Sequence, residues 1–150
     1  MVIKSSQGFT FVEIMIVVAI LGVLTAFAYP SYQRHVLNTK RADTRADLLQ
    51  ISSKLQRYKI ANFSYLKGGT TPITLDDISQ PAYLPQQGTA LYTLALTKVK
   101  AGEWELTATP KDSGLMKGDG IIALNSKGQK CWQKGQVTCP LSDTSSWENK

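Results

Sequence analysis

The chain predicts an α+β fold, with one long N-terminal helix packed on a four-stranded antiparallel sheet. Three observations carry that expectation. An almost unbroken apolar run opens the chain, from Phe9 to Tyr29. An amphipathic stretch follows, in which Leu48, Ile51, Leu55 and Tyr58 recur at steps of three and four, the spacing of one helical face. Short alternating runs rich in β-branched and aromatic residues come later, the pattern of half-buried strands. A length of 150 residues allows one modest domain beyond the helix.

A helix through the first run is about 30 Å long at ~1.5 Å per residue, which matches the hydrocarbon thickness of a bilayer. Near its front sits a lone carboxylate, Glu13. An acid there costs on the order of 3 kcal/mol if left in lipid. Three readings compete. A cleaved secretory signal places its small-residue site after the apolar stretch, whereas Gly8 precedes it. A plain anchor fits the length, and Lys4 fits the positive-inside bias, but it gives Glu13 no use. An anchor that is also an assembly surface accounts for the acid. Cleavage after Gly8 frees an α-amine on Phe9, one helical turn from Glu13. In a bundle of identical chains, the carboxylate of one meets the amine of the next. Such a pair sets register more than it adds stability.

The helix is expected to continue to near Ala61. Its second half carries Lys40, Arg41, Asp43, Arg45, Asp47, Lys54 and Arg57 opposite the apolar stripe, which reads as a solvated face. Asn62 to Gln87 holds Gly68, Gly69, Pro72, Pro81 and Pro85 and reads as loop, with short local elements around Thr74 to Ile78. Phe63, Tyr65 and Tyr83 are expected to pin it to the domain. Strands are expected at Tyr92 to Thr97, Trp104 to Thr109, Ile121 to Asn125 and Gln129 to Trp132. Turns at Ala101–Gly102 and Ser126 to Gly128 and a loop from Lys111 to Gly120 join them.

The formal net charge is +6. A basic surface favours polyanions such as DNA or anionic envelope polymers, and it equally serves solubility. Two cysteines, Cys131 and Cys139, lie close together near the end. In a chain threaded through the inner membrane they face an oxidising periplasm, where a disulfide constrains the tail by ~2–3 kcal/mol. A zinc site needs more ligands, and His35 is far off in sequence. A redox pair has tighter Cys-x-x-Cys spacing.

No catalytic constellation, cofactor motif or metal motif is legible, so an enzyme is not expected. Lys117-Gly118-Asp119-Gly120 lacks the acids for a calcium cage and reads as a β-turn. The suggestive cluster comes late. Lys127, Lys130 and Lys134 interleave with Trp132. Cations around an aromatic hold a phosphate backbone while the ring stacks on a base or sugar. Lys98, Lys100, Lys111 and Lys117 join them if strand ends converge. In the competing reading, Trp132 packs in the core and the lysines guard an exposed sheet edge.

The segment Gly8-Phe9-Thr10-Phe11-Val12-Glu13 resembles the class III signal of type IV pilins, and the match runs on through Gly22 to Pro30. The resemblance implies the type IV pilin fold, with a leader at 1–8, a transmembrane and assembly helix at 9–30, and a periplasmic or extracellular head at 31–150. It implies cleavage between Gly8 and Phe9 by a prepilin peptidase, and N-methylation of Phe9. Glu13 pairs with a neighbouring subunit in the filament, and Gly22 and Pro30 fall where the family's helix kinks or loosens. The implied partners are other pilin subunits, the assembly machinery and the inner membrane, before export into an extracellular fibre serving adhesion, twitching motility or competence. Trp104 to Pro110, Gly118-Asp119-Gly120 and Cys131-Trp132 are similar to small pilins of the PilE-like group. The cysteine loop is shorter than in many major pilins, which favours a minor subunit. The implied function is a structural pilus subunit. The alternative is a DNA-binding minor pilin, a receptor for double-stranded DNA in natural transformation, with Lys127, Lys130, Trp132 and Lys134 as the contact set.

Overall fold

Alternation and helical spacing both find their expected partners in the computed structural model, which describes residues 8–148. The rest of the expected leader, residues 1–7, lies outside the described residues. Helix α1 spans Phe11–Asn62 and passes through Pro30 without a break. Its apolar first part is exposed along its length. Residues 40–150 form a compact unit of their own. Within it, α1 buries Thr44, Leu48, Ile51 and Leu55, positions that return to one side every three or four residues. Tyr58, expected on the same stripe, is half-buried.

Five strands make the main sheet, in the order β3-β4-β5-β6-β7, all antiparallel. They are β3 (Tyr83–Leu84), β4 (Tyr92–Thr97), β5 (Glu105–Pro110), β6 (Ile122–Asn125) and β7 (Lys130–Trp132). The register aligns Leu94 with Ala108, Ala108 with Ile122, and Ile122 with Trp132. One residue shifted in any strand would turn its apolar set away from the core. The four expected strands are therefore present, and a fifth, β3, adds an edge. Its two residues sit between Pro81 and Pro85 and are too few to show alternation. Leu84 is nonetheless buried, and its carbonyl accepts from Leu91 N at 2.7 Å.

The expected loop also holds a small hairpin, β1 (Leu66–Lys67) with β2 (Thr71–Pro72). A 3-10 turn follows at Asp76–Ile78. Asp77 ties the two together. Its carboxylate accepts from Thr74 N at 2.7 Å, from Thr74 Oγ1 at 2.9 Å and from Lys67 Nζ at 3.0 Å. Of the three aromatics expected to pin this segment, only Tyr65 does so, at 3% exposed. Phe63 is 89% exposed and Tyr83 is 42% exposed. Phe63 ends the helix with a φ of 59°, which swings its ring outward in place of the core.

The polar face of α1 departs from expectation. Arg41 and Arg45 are half-buried over the sheet. Arg41 Nε donates to Asp119 Oδ2 at 2.9 Å, and its Nη2 donates to Oδ1. Tyr92 OH donates to the same carboxylate at 3.3 Å. Burial, then the Asp119 charge, push the Tyr92 phenol far above its ordinary range. The Arg41 guanidinium lies 3.8 Å from the centre of the Trp132 ring, and Arg45 lies at 5.2 Å. Trp132 Nε1 donates to the Asp119 carbonyl at 3.1 Å. Gly120 makes this approach possible. Its φ is 97°, and an added Cβ would fall 2.0 Å from the Gln133 carbonyl oxygen.

The tail closes the sheet. A disulfide joins Cys131 to Cys139, with Cα atoms 5.8 Å apart. Trp132 N donates to Ser146 O at 3.2 Å, which covers the open edge of β7. Trp147 Nε1 donates to Ala123 O at 3.0 Å, and Arg45 Nη2 donates to Trp147 O.

Two expectations follow for the full chain in detergent. Asp119→Ala leaves Arg41 without its carboxylate in a site where both side chains are largely buried. It should lower the unfolding free energy by about 3 kcal/mol, read by denaturant titration. Asp77 is held below the usual carboxylate range, first by Thr74 N and then by Lys67 and the Thr74 hydroxyl. A depressed folded value means stability present above the unfolded value of about 3.9 and lost as pH falls through the folded one. Asp77→Asn should therefore flatten the acid side of the stability profile, and an unchanged profile would refute the role given to Asp77.

Candidate functional site

The first candidate region is the start of the chain. Phe9 is 83% exposed. Thr10 caps α1, and Glu13 folds back onto it. Thr10 N and Thr10 Oγ1 each donate to Glu13 Oε2 at 2.8 Å, while Glu13 N donates to Thr10 Oγ1 at 3.3 Å. This is a reciprocal capping box. The sequence reading gives Thr10 no capping role, although the Thr-x-x-Glu spacing at the head of an apolar run signals one. An 18-residue window of this helix has a mean hydropathy of 2.6 and no buried residue. Apart from its chain neighbours and the helix's own backbone, nothing lies within 4 Å of where a Cβ on Gly22 would stand. Within the helix, Pro30 O accepts from Arg34 Nε at 3.3 Å.

The second candidate region is the basic surface, and here the structure splits the expected cluster. Lys127 and Lys134 lie beyond opposite ends of β7. Around Lys127, the register sets Thr97 beside Glu105 and Glu105 beside Asn125. The connections that leave those residues therefore meet at one end of the sheet, bringing Lys98, Lys100 and Lys127 to one cleft of about 240 Å³. Lys111, Lys117 and Lys134 sit on connections at the other end. There Gly135 N donates to Asp119 O at 3.4 Å and Ile121 N to Gln136 O at 3.1 Å, which draws the segments of Lys117 and Lys134 together.

Lys130 lies between the two groups. Its Nζ is 5.0 Å from the centre of the Trp147 ring, a cation–π contact that holds the stem against the tail. Trp132 belongs to neither group. It is 5% exposed and covered by Arg41, so it offers no face to a base. The expectation of Trp132 as a stacking platform is corrected on that ground, because its ring packs beneath Arg41 and Arg45 of α1.

In the cleft at the Lys127 end, Lys98 Nζ reaches Glu105 Oε2 at 2.7 Å and Lys127 Nζ reaches Glu103 Oε1 at 3.3 Å. Lys98 has a φ of 51°, a conformation a non-glycine residue adopts at a cost of about 1 kcal/mol or more. Trp104 lines the cleft and is 2% exposed, and its indole N–H has no acceptor among the described residues. A buried donor left open carries a penalty of about 1–3 kcal/mol. Nothing in the sequence marks that orphan.

Comparison with known proteins identifies the family. Residues 30–120 match the family model described as type IV minor pilin ComP, DNA uptake sequence receptor. Residues 3–29 match the prokaryotic N-terminal methylation motif. A fimbrial protein of Pseudomonas aeruginosa is 28% identical over 130 residues, covering 86% of this chain and 84% of its own. The type IV major fimbrial protein FimA of Dichelobacter nodosus is 36% identical over 135 residues, covering 81% and 82%. The non-core minor pilin PilV of Neisseria meningitidis shares the fold, with a TM-score of 0.53 at 18% identity over 71% of this chain and 95% of that one. The chain belongs to the type IV pilins, in the family of the minor pilin ComP.

Proposed function

We propose that this pilin is cut between Gly8 and Phe9 by a prepilin peptidase and methylated on Phe9. The leader is then 1–8, the membrane and assembly helix 9–30, and the head 31–150. Assembly runs through the N-terminal helix. The chain waits in the inner membrane with its C-terminal part outside and leaves it for an extracellular filament built with other pilins. The observation that carries this reading is an exposed apolar helix whose first turn holds Glu13 inside a segment matching the methylation motif. Glu13 sets register by pairing with the Phe9 amine of a neighbour, and Gly22 and Pro30 are the places where the helix loosens on packing. Pilins are structural proteins, and no chemistry is assigned to this one.

A second reading is favoured by the match of residues 30–120 to the DNA uptake sequence receptor family. In it, the head also binds double-stranded DNA in the filament. The contacts come from Lys127, Lys130 and Lys134, while Trp132, packed beneath Arg41, takes no part.

Three measurements test these roles. Glu13→Ala should enter the membrane at least as well as the parent and be absent from sheared filaments, judged by immunoblot of both fractions. Incorporation at the parent level would sink the register role. Gly8→Leu should leave the leader attached, visible as a heavier band and as an unmethylated N-terminus by mass spectrometry. The full chain in detergent should bind duplex DNA with a dissociation constant that weakens steeply with salt. Absence of binding at low salt would remove the second reading and leave the first untouched.

A further inference from the structure

The chemistry of α1 changes abruptly around Pro30. From Ile14 to Ala28 the only side-chain hydroxyl is that of Thr25. Its Oγ1 donates to Leu21 O at 2.6 Å, so this stretch asks hydrocarbon for no hydrogen bond. Pro30 has no N–H, which leaves the Ala26 carbonyl without its usual helical donor. An open carbonyl is costly in hydrocarbon, so this turn belongs where water begins. Tyr29 and Tyr32 flank it, and both rings are exposed. Tyrosines so placed at the end of an apolar span rest at the headgroup level.

The residues that share this level all donate and none is an acid. Ser31, Gln33, Arg34 and His35 are exposed, and each carries an N–H or O–H. Between Glu13 and Lys40, Arg34 is the only formally charged side chain. A cation beyond the outer end of the span runs against the positive-inside bias. Its direction matters as well. Arg34 Nε donates to Pro30 O at 3.3 Å, which folds the guanidinium back to the level of the tyrosines. Its two terminal nitrogens have no partner among the described residues, and it makes no ion pair there. A planar fork of free donors matches a phosphate group. Charge decides which lipid. Choline and ethanolamine headgroups bring a cation of their own, which Arg34 repels and which no acid at this level can pair. A headgroup whose phosphate charge is uncompensated meets only donors.

We propose that residues 29–35 form a collar for anionic phospholipid at the outer face of the membrane. Arg34 takes the headgroup phosphate, Ser31, Gln33 and His35 add neutral donors around it, and Tyr29 and Tyr32 set the depth. The proposal rests on the reading that the chain waits in the inner membrane with its C-terminal part outside. It adds the class of lipid that surrounds the waiting subunit. Entry into a filament then requires that this lipid be released.

The test uses the full chain reconstituted in phosphatidylcholine vesicles that contain trace spin-labelled phosphatidylglycerol or spin-labelled phosphatidylcholine. The fraction of each label slowed by contact with the protein gives a relative association constant. The parent should favour phosphatidylglycerol by about fivefold, the scale of one cation at an anionic surface, and the preference should shrink as salt is added. Arg34→Gln should bring it close to one, and Arg34→Lys should keep part of it. Arg57→Gln removes the same charge from an exposed position on the head and should leave the preference intact. That pattern supports the collar. A preference that falls as much in Arg57→Gln as in Arg34→Gln belongs to the charge of the head and overturns it. Flotation of the vesicles at alkaline pH separates the two readings. If the chain floats with the lipid but holds both labels equally, the collar falls and the membrane reading stands. If the chain is stripped from the vesicles, the membrane reading falls and the collar with it.

Discussion

Burying a carboxylate requires donors that reach it, and Asp119 is held from separate elements. Arg41 on α1 and Tyr92 at the start of β4 donate to its carboxylate, and Trp132 at the end of β7 donates to its backbone carbonyl. The same residue therefore fixes where the helix crosses the sheet and where the last strand stops. The guanidinium that pairs with it also lies over the Trp132 ring, so removing the acid disturbs a cation–π contact as well as an ion pair. Gly120 lets the loop come close enough, because any side chain there meets the Gln133 carbonyl. The tail then follows from Trp132, through the Ser146 carbonyl and the neighbouring disulfide.

Much of this layout can be read from periodicity. Leu48, Ile51 and Leu55 announce their helix face, and the alternation in Tyr92 to Thr97 announces both a strand and its register. Interactions that join residues distant in sequence leave no such trace. Arg41 and Asp119 are 78 positions apart, and each looks like a solvated residue among its neighbours. The β3 strand is invisible because two residues cannot alternate. Trp132 illustrates a different limit. Lysines on either side of a ring fit an exposed stacking site and a buried edge strand equally well, and only the position of α1 decides between them.

The basic residues show how topology distributes charge. Along the chain Lys127, Lys130 and Lys134 form one group. In the sheet, the antiparallel meander sends the first to one end and the last to the other, while hairpin partners bring Lys98 and Lys100 to the first end. An electrostatic footprint for a polyanion is thus set by strand register, since each connection delivers its side chains to the end where it turns. Lys111, Lys117 and Lys134 gather at the far end by the same rule. On the DNA-binding reading, two basic ends on one sheet would meet a duplex at two places, whereas one tight cluster would grip a single point.

The helix start carries the remaining step. In an isolated subunit Glu13 is satisfied by the backbone and hydroxyl of Thr10, which offsets part of the cost, on the order of 3 kcal/mol, of keeping an acid at the edge of hydrocarbon. A neutral hydroxyl and one backbone N–H leave its charge uncompensated. On the proposed reading the amine of an adjacent chain supplies that charge, and an ion pair in a water-poor setting is stronger than a bond between the carboxylate and a neutral donor. The capping box then acts as a holding state. It makes the monomer tolerable in the membrane and leaves a gain available on packing. Because Thr10 lies next to Phe9, the exchange takes place within one helical turn and needs no rearrangement of the rest of α1.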